Sequence, residues 1–134
     1  MIVKDLDGCN QKWSLTGNIK NNRQNQSSLH KQAYALLKEI YPTIPILQEV
    51  SIPLRRTETL FLDFYIPLLK KAIEVHGEQH YKFVAHYHNN ALGFIRHKKR
   101  DADKAEWCEI NGLEYIELPF NENIDQWKNR ITKV

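Results

Sequence analysis

The chain has 134 residues, 42% of them hydrophobic and 26% charged, with a net charge of +3. That supplies one hydrophobic core and excludes a disordered chain, and no apolar run approaches the roughly 18 residues of a membrane span. Acidic Asp5 and Asp7 stand where a secretory leader would be apolar, so the sequence reads as intracellular, and Cys9 and Cys108 read as reduced thiols with no CxxC partner for zinc.

Residues 1–27 read as an N-terminal arm, and 28–134 as one globular domain. Trp13 and Leu15 are placed to pin a short strand, whereas 18–27 holds four Asn and two Gln around a single apolar residue, Ile19, and reads as a loop. A first helix begins near Ser28, with Ser27 or Ser28 as N-cap, and runs along Ala33, Leu36, Leu37 and Ile40 until Pro42 ends it. Three strands follow, over 46–53, 60–66 (LFLDFYI) and 71–76 (KAIEVH). The last alternates cleanly, with Ile73 and Val75 on one face and Ala72, Glu74 and His76 on the other. The aromatic and histidine-rich stretch 77–92 reads as an ordered loop. A second helix over 93–111 ends at Gly112, a fourth strand covers 113–118, and a final helix over 124–132 carries Ile124, Trp127 and Ile131 on one face. The order αβββαβα implies an α/β fold, a mixed four-stranded sheet flanked by helices.

Two acids in apolar strands carry the chemistry. Asp63 lies inside LFLDFYI and Glu74 inside KAIEVH. A lone carboxylate in a core strand is costly unless paired or bound to a metal. The short connection 67–70 makes these strands antiparallel neighbours, so Asp63 and Glu74 can lie side by side and share a divalent cation, Mg²⁺ or Mn²⁺, which prefers oxygen ligands. The competing reading pairs them with Lys70 or Lys71 at a sheet edge. His76 and His80 follow Glu74 closely and can move protons near neutral pH. Asp101, Lys104 and Cys108 share a helix face, where Asp101 and Lys104 read most simply as a surface salt bridge. Arg55–Arg56, Lys70–Lys71 and Arg96–Lys98–Lys99–Arg100 are basic clusters suited to a polyanion or to plain solubility.

The segment FLDFYIPLLKKAIEVHGEQHYKF, with RDADKAEWCEINGLEYIELP downstream, resembles PD-(D/E)XK endonucleases of the very-short-patch-repair-like, EDxHD branch known from phages and mobile elements. The resemblance covers roughly 28–132. It implies a restriction-endonuclease-like αβββαβα core and metal-dependent hydrolysis of DNA. Asp63 then takes the place of the metal-binding strand aspartate and Glu74 the acidic place of the (D/E)XK motif. His76 stands where that motif has its lysine, which is a departure. His80 matches the Gln-His histidine, as general base or acid. Asp101 and Lys104 match the downstream aspartate and its basic companion, and His30 is the favoured first-helix residue, ahead of Glu39 and Glu49. Gln79, Arg96, Lys98, Lys99 and Arg100 are expected to contact nucleic acid. His86, His88 and His97 have no matching place and are expected to be exposed loop residues, with a zinc site from His76, His80, His86 and His88 as the lesser reading. The expected partner is duplex or branched DNA, cut by a dimer or beside a larger targeting partner. The rival readings are a junction resolvase or nickase, and an inactive nuclease fold that binds nucleic acid.

Overall fold

A computed structural model of the protein describes residues 1–15, 27–88 and 90–133, apart from the side chains of His86 and Tyr87. The loop expected over 18–27 lies outside the described residues except for Ser27.

Two short strands, β1 (Ile2–Lys4) and β2 (Asn10–Lys12), pair antiparallel ahead of helix α1 (Ser28–Ile40). Ser27 caps α1, its side chain accepting the His30 N–H at 3.1 Å. Strands β3 (Leu47–Arg55), β4 (Glu58–Ile66) and β5 (Lys71–His76) follow, then a 3₁₀ turn at Glu78–His80, a short helix α2 (Ala85–His88), the long helix α3 (Ala91–Ile110), strand β6 (Glu114–Pro119) and helix α4 (Ile124–Thr132). The stretch expected as loop over 77–92 is therefore partly helical. The sheet order is β3-β4-β5-β6, antiparallel except for the parallel β5–β6 pair. A parallel pair needs a crossover, and α3 supplies it. The expected mixed four-stranded sheet with flanking helices is present.

Each face of the sheet has its own core. Trp107, Cys108 and Leu113 pack with Val50, Ile52, Leu54, Leu62 and Trp13 on the α3 side. Leu36, Leu37, Trp127 and Ile131 pack with Phe64, Ile66, Ile73, Ile116 and Leu118 on the α1–α4 side. The three buried indoles each find a carbonyl: Trp13 Nε1 donates to Ser51 O (2.8 Å), Trp107 Nε1 to Pro53 O (3.2 Å) and Trp127 Nε1 to Pro119 O (2.8 Å). Ile124, expected on the buried face of α4, is 44% exposed. It is the first residue after the Asn123 cap and overhangs the core.

Side chains alternate along a strand, so Leu62, Phe64 and Ile66 should share a face. They do not: Leu62 faces α3, while Phe64 and Ile66 face α1 and α4. Strand β3 slips at the matching place, since Leu47 and Val50, three residues apart, both face α3. Leu47 pairs with Tyr65, Gln48 with Phe64 and Val50 with Leu62, leaving Glu49 and Asp63 between the paired positions. Glu49 adopts φ +48°, a left-handed conformation rare outside glycine. The double irregularity decides where Asp63 points.

Candidate active site

The β4–β5 ladder pairs Phe64 with Ile73. One step further, carboxylates replace carbonyls as acceptors. Glu74 Oε2 accepts the Asp63 N–H at 2.7 Å, and Asp63 Oδ2 accepts the Val75 N–H at 2.8 Å. The two acids thus meet between separating strands. Glu74 is buried, and its Oε1 accepts from Lys104 Nζ at 2.7 Å. Burial pushes the Asp63 carboxyl up. Burial and the neighbouring Asp63 charge push Glu74 up to about 8, against the pull of the Lys104 ammonium. Burial disfavours the Lys104 charge, but Glu74 outweighs it and holds this ammonium above its ordinary value.

This geometry replaces two expectations. Lys71 does not serve the acids: its Nζ donates to Ile131 O (2.5 Å) and Tyr41 OH (3.2 Å) on the α1–α4 side. Asp101 and Lys104 do not pair as a surface salt bridge. One helical turn apart, they reach inward to different partners, Asp101 to His80 and Lys104 to Glu74.

Beside the acids lies a row of imidazoles. His80 Nδ1 meets Asp101 Oδ2 at 2.7 Å. Burial opposes ionisation of Asp101, yet the His80 bond holds its pKa below the ordinary value. The His76 ring stacks on His80 with centroids 4.2 Å apart and planes 5° from parallel. Burial, then the adjacent His80, push His76 down toward the neutral form. His97 adds a ring 5.1 Å from His80, and His88 lies 5.2 Å from His97. The expectation that His88 and His97 are exposed loop residues is therefore corrected: His88 is buried, and His97, on α3, is half-buried against His80. The His86 side chain lies outside the described residues.

Among the described residues, the donor atoms of His76, His80 and Asp101 lie within 4.8 Å of one another. This set shares His76 and His80 with the zinc reading but replaces its other two histidines with Asp101. Ring lone pairs lie in the ring plane, and these planes run parallel, so one ring must turn before both histidines can hold one ion. As arranged, His80 suits proton transfer, its Nδ1 on Asp101, whereas both nitrogens of His76 are engaged by Glu117 and Tyr115. The Asp63–Glu74 oxygens suit a hard divalent ion, and the Lys104 ammonium already places a positive charge against them.

The other expected site residues are more dispersed. His30 is buried at the start of α1, 4.4 Å from the Phe64 ring centroid and 3.0 Å from Gln48 Oε1, on the α1–α4 side of the sheet, whereas Lys104 and Asp101 approach from α3. Gln79 lines a groove with Val75, Gly77 and Phe120. Its amide oxygen would lie 2.6 Å from a Cβ at position 77, so the Gly77 backbone makes room for it. The basic run on α3 divides. Arg96, Lys99 and Arg100 join Arg55 around a cavity of 430 Å³ that Glu58 and Asp103 partly neutralise. Lys98 turns away and sits over the Tyr81 and Phe94 rings, at 5.6 and 5.9 Å. Sequence reasoning missed Glu117 and Tyr115, which hold both nitrogens of His76: Nδ1 lies 3.1 Å from Glu117 Oε1 and Nε2 3.2 Å from Tyr115 OH. Only the parallel β5–β6 register, which sets Glu117 opposite Glu74, brings them there.

Three relatives are similar over part of the chain. Uncharacterized protein 307L of Invertebrate iridescent virus 6 is 41% identical over 61 residues, covering 46% of this chain and 31% of that protein. Uncharacterized protein 094L of Frog virus 3 is 39% identical over 62 residues, 46% of this chain and 40% of that protein. Uncharacterized protein 033L of Invertebrate iridescent virus 3 is 33% identical over 61 residues, 46% and 31% respectively. The match thus spans less than half the length of each relative. No protein-family description and no solved structure matches the chain. No helix among the described residues is long and apolar enough to cross a membrane.

Proposed function

We propose that the protein is a metal-dependent endonuclease that hydrolyses DNA phosphodiester bonds, on a restriction-endonuclease-like fold. The observation that carries this reading is the convergence of Asp63 and Glu74 with Lys104 on one side and the His80–Asp101 pair beside them. Asp63 and Glu74 would hold Mg²⁺ or Mn²⁺. The ion, when bound, supplies a polarised water and positive charge against the phosphate. His80 keeps its Nδ1–H on Asp101, which leaves Nε2 to accept a proton from the attacking water. Lys104, freed from Glu74 once a cation takes its place, neutralises charge building on the phosphoryl oxygens. It supplies the ammonium that His76 cannot. Arg96, Lys99 and Arg100 offer positive charge to a polyanion from the same helix, and Gln79 offers an amide from a separate groove.

Supercoiled plasmid tests the function. Wild type should nick or linearise it in Mg²⁺ or Mn²⁺, EDTA should stop the reaction, and Asp63→Ala should be inactive while still folded. Full activity in Asp63→Ala would end the reading. Nicked circles would favour a nickase, linear product a cooperating dimer, and DNA binding without cleavage an inactive nucleic-acid-binding fold.

A further inference from the structure

His76 is 3% exposed and engaged at both nitrogens. A neutral imidazole has one N–H and one lone pair. The Glu117 carboxylate can only accept, so Nδ1 carries the hydrogen, and Nε2 accepts from the Tyr115 hydroxyl. This tautomer follows from the partners. Neither a proton nor a lone pair is left for a substrate. What His76 offers is its face, 4.2 Å from His80.

His80 is held at one edge by Asp101, and its ring can still turn about the Cβ–Cγ bond. The His76 face at 4.2 Å, nearly parallel, opposes that turn together with the more distant His97 ring at 5.1 Å. Glu117 also accepts the Tyr81 hydroxyl in a short hydrogen bond, and Tyr81 directly follows His80. One carboxylate on β6 therefore reaches His80 by two routes, through the ring stacked on it and through the residue joined to it. We infer that Glu117, with Tyr115, is a positioning residue that locks His76 as a neutral slab and thereby fixes the ring plane of His80. The inference deepens the nuclease reading, and only its rate consequence rests on that reading.

The test uses the whole chain and reads imidazole nitrogens by ¹⁵N NMR, with Glu117→Leu, Glu117→Gln and Tyr115→Phe. Wild type should show His76 as the Nδ1–H tautomer. Glu117→Gln keeps an acceptor oxygen and should preserve that tautomer and the His80 resonances. Glu117→Leu removes the acceptor and should move His76 to the Nε2–H form and shift His80, with a fall of about tenfold in single-turnover cleavage and little change in DNA affinity. Glu117→Gln should recover most of that rate. If Glu117→Leu does not fold, Tyr115→Phe decides: it removes only the donor to Nε2 and should shift both His76 and His80. A His76 tautomer and His80 resonances unmoved in the folded variant would overturn the inference. If wild type does not cleave DNA, the nuclease reading fails while the nitrogen resonances still judge the positioning role.

Discussion

Asp63 and Glu74 hold each other's strand: the Glu74 carboxylate accepts the N–H of Asp63, and the Asp63 carboxylate accepts the N–H that follows Glu74. A β-ladder normally satisfies such groups with carbonyls. Here two acids do so, which fixes them side by side and leaves one cation, Lys104, against Glu74.

Removing that cation has a definite cost. Above pH 8, where the folded Glu74 is ionised, Lys104→Met leaves its carboxylate buried without its partner, and breaking a buried pair from one side costs about 3 kcal/mol. Chemical denaturation should show that loss. Lys104→Met combined with Glu74→Gln should recover much of it, because the second change removes the stranded charge.

The raised pKa of Glu74 predicts a pH slope. The unfolded carboxyl loses its proton near 4.5, whereas the folded one, buried beside Asp63, keeps it to about 8. Between these values the folded state binds the extra proton, so stability falls as pH rises through this window and levels off above it. Asp63 is raised as well and pushes in the same direction at the acid end. Because burial holds His76 and His97 toward their neutral forms and they push the other way below about pH 6.5, the decline should be read in unfolding midpoints from about pH 7 to 8.5, and Glu74→Gln should flatten it. A slope unchanged in that variant would show that another group carries it.

Asp101→Asn tests the imidazole pair. Asparagine can turn its amide toward His80 Nδ1 and donate, which would force the hydrogen to Nε2 and leave no base facing the water. Single-turnover cleavage should fall roughly a hundredfold or more, with DNA affinity nearly unchanged. Retention of the full rate would remove the proton-acceptor role from His80.

Trp107 fixes α3, and with it Asp101 and Lys104, against the sheet. It is fully buried, packs edge-on against Trp13 at 5.0 Å and donates to Pro53 O. Trp107→Ala should cost about 3–5 kcal/mol. Because Trp13 belongs to the N-terminal segment, Trp13→Ala should also destabilise the α3 face, as seen by thermal unfolding.

Much of this architecture is legible in the residues. The strand Lys71–His76 and the helix Ile124–Thr132 fall where alternation and helical spacing place them, since each pattern is local and bounded by Gly77 or by the Asn123 capping box. The closeness of Asp63 to Glu74 follows from the short connection between two apolar strands. What is not legible is set by contacts distant in sequence. The face of Asp63 depends on a slip shared with Glu49, which strict alternation cannot anticipate. Nothing in LEYIEL singles out Glu117 until β6 lies beside β5 and sets it opposite Glu74. His97 reads as an exposed loop residue until α3 carries it against His80. Lys104 carries no mark in the sequence that it will reach Glu74 rather than Asp101.

Calorimetric titration with Mn²⁺ tests most directly whether the paired acids take up a cation. Wild type should bind and release a proton at pH 7, Asp63→Ala and Glu74→Ala should lose the binding, and His76→Ala should keep it. Undiminished Mn²⁺ uptake by a folded Asp63→Ala protein, or uptake lost only on changing the histidines, would contradict the account.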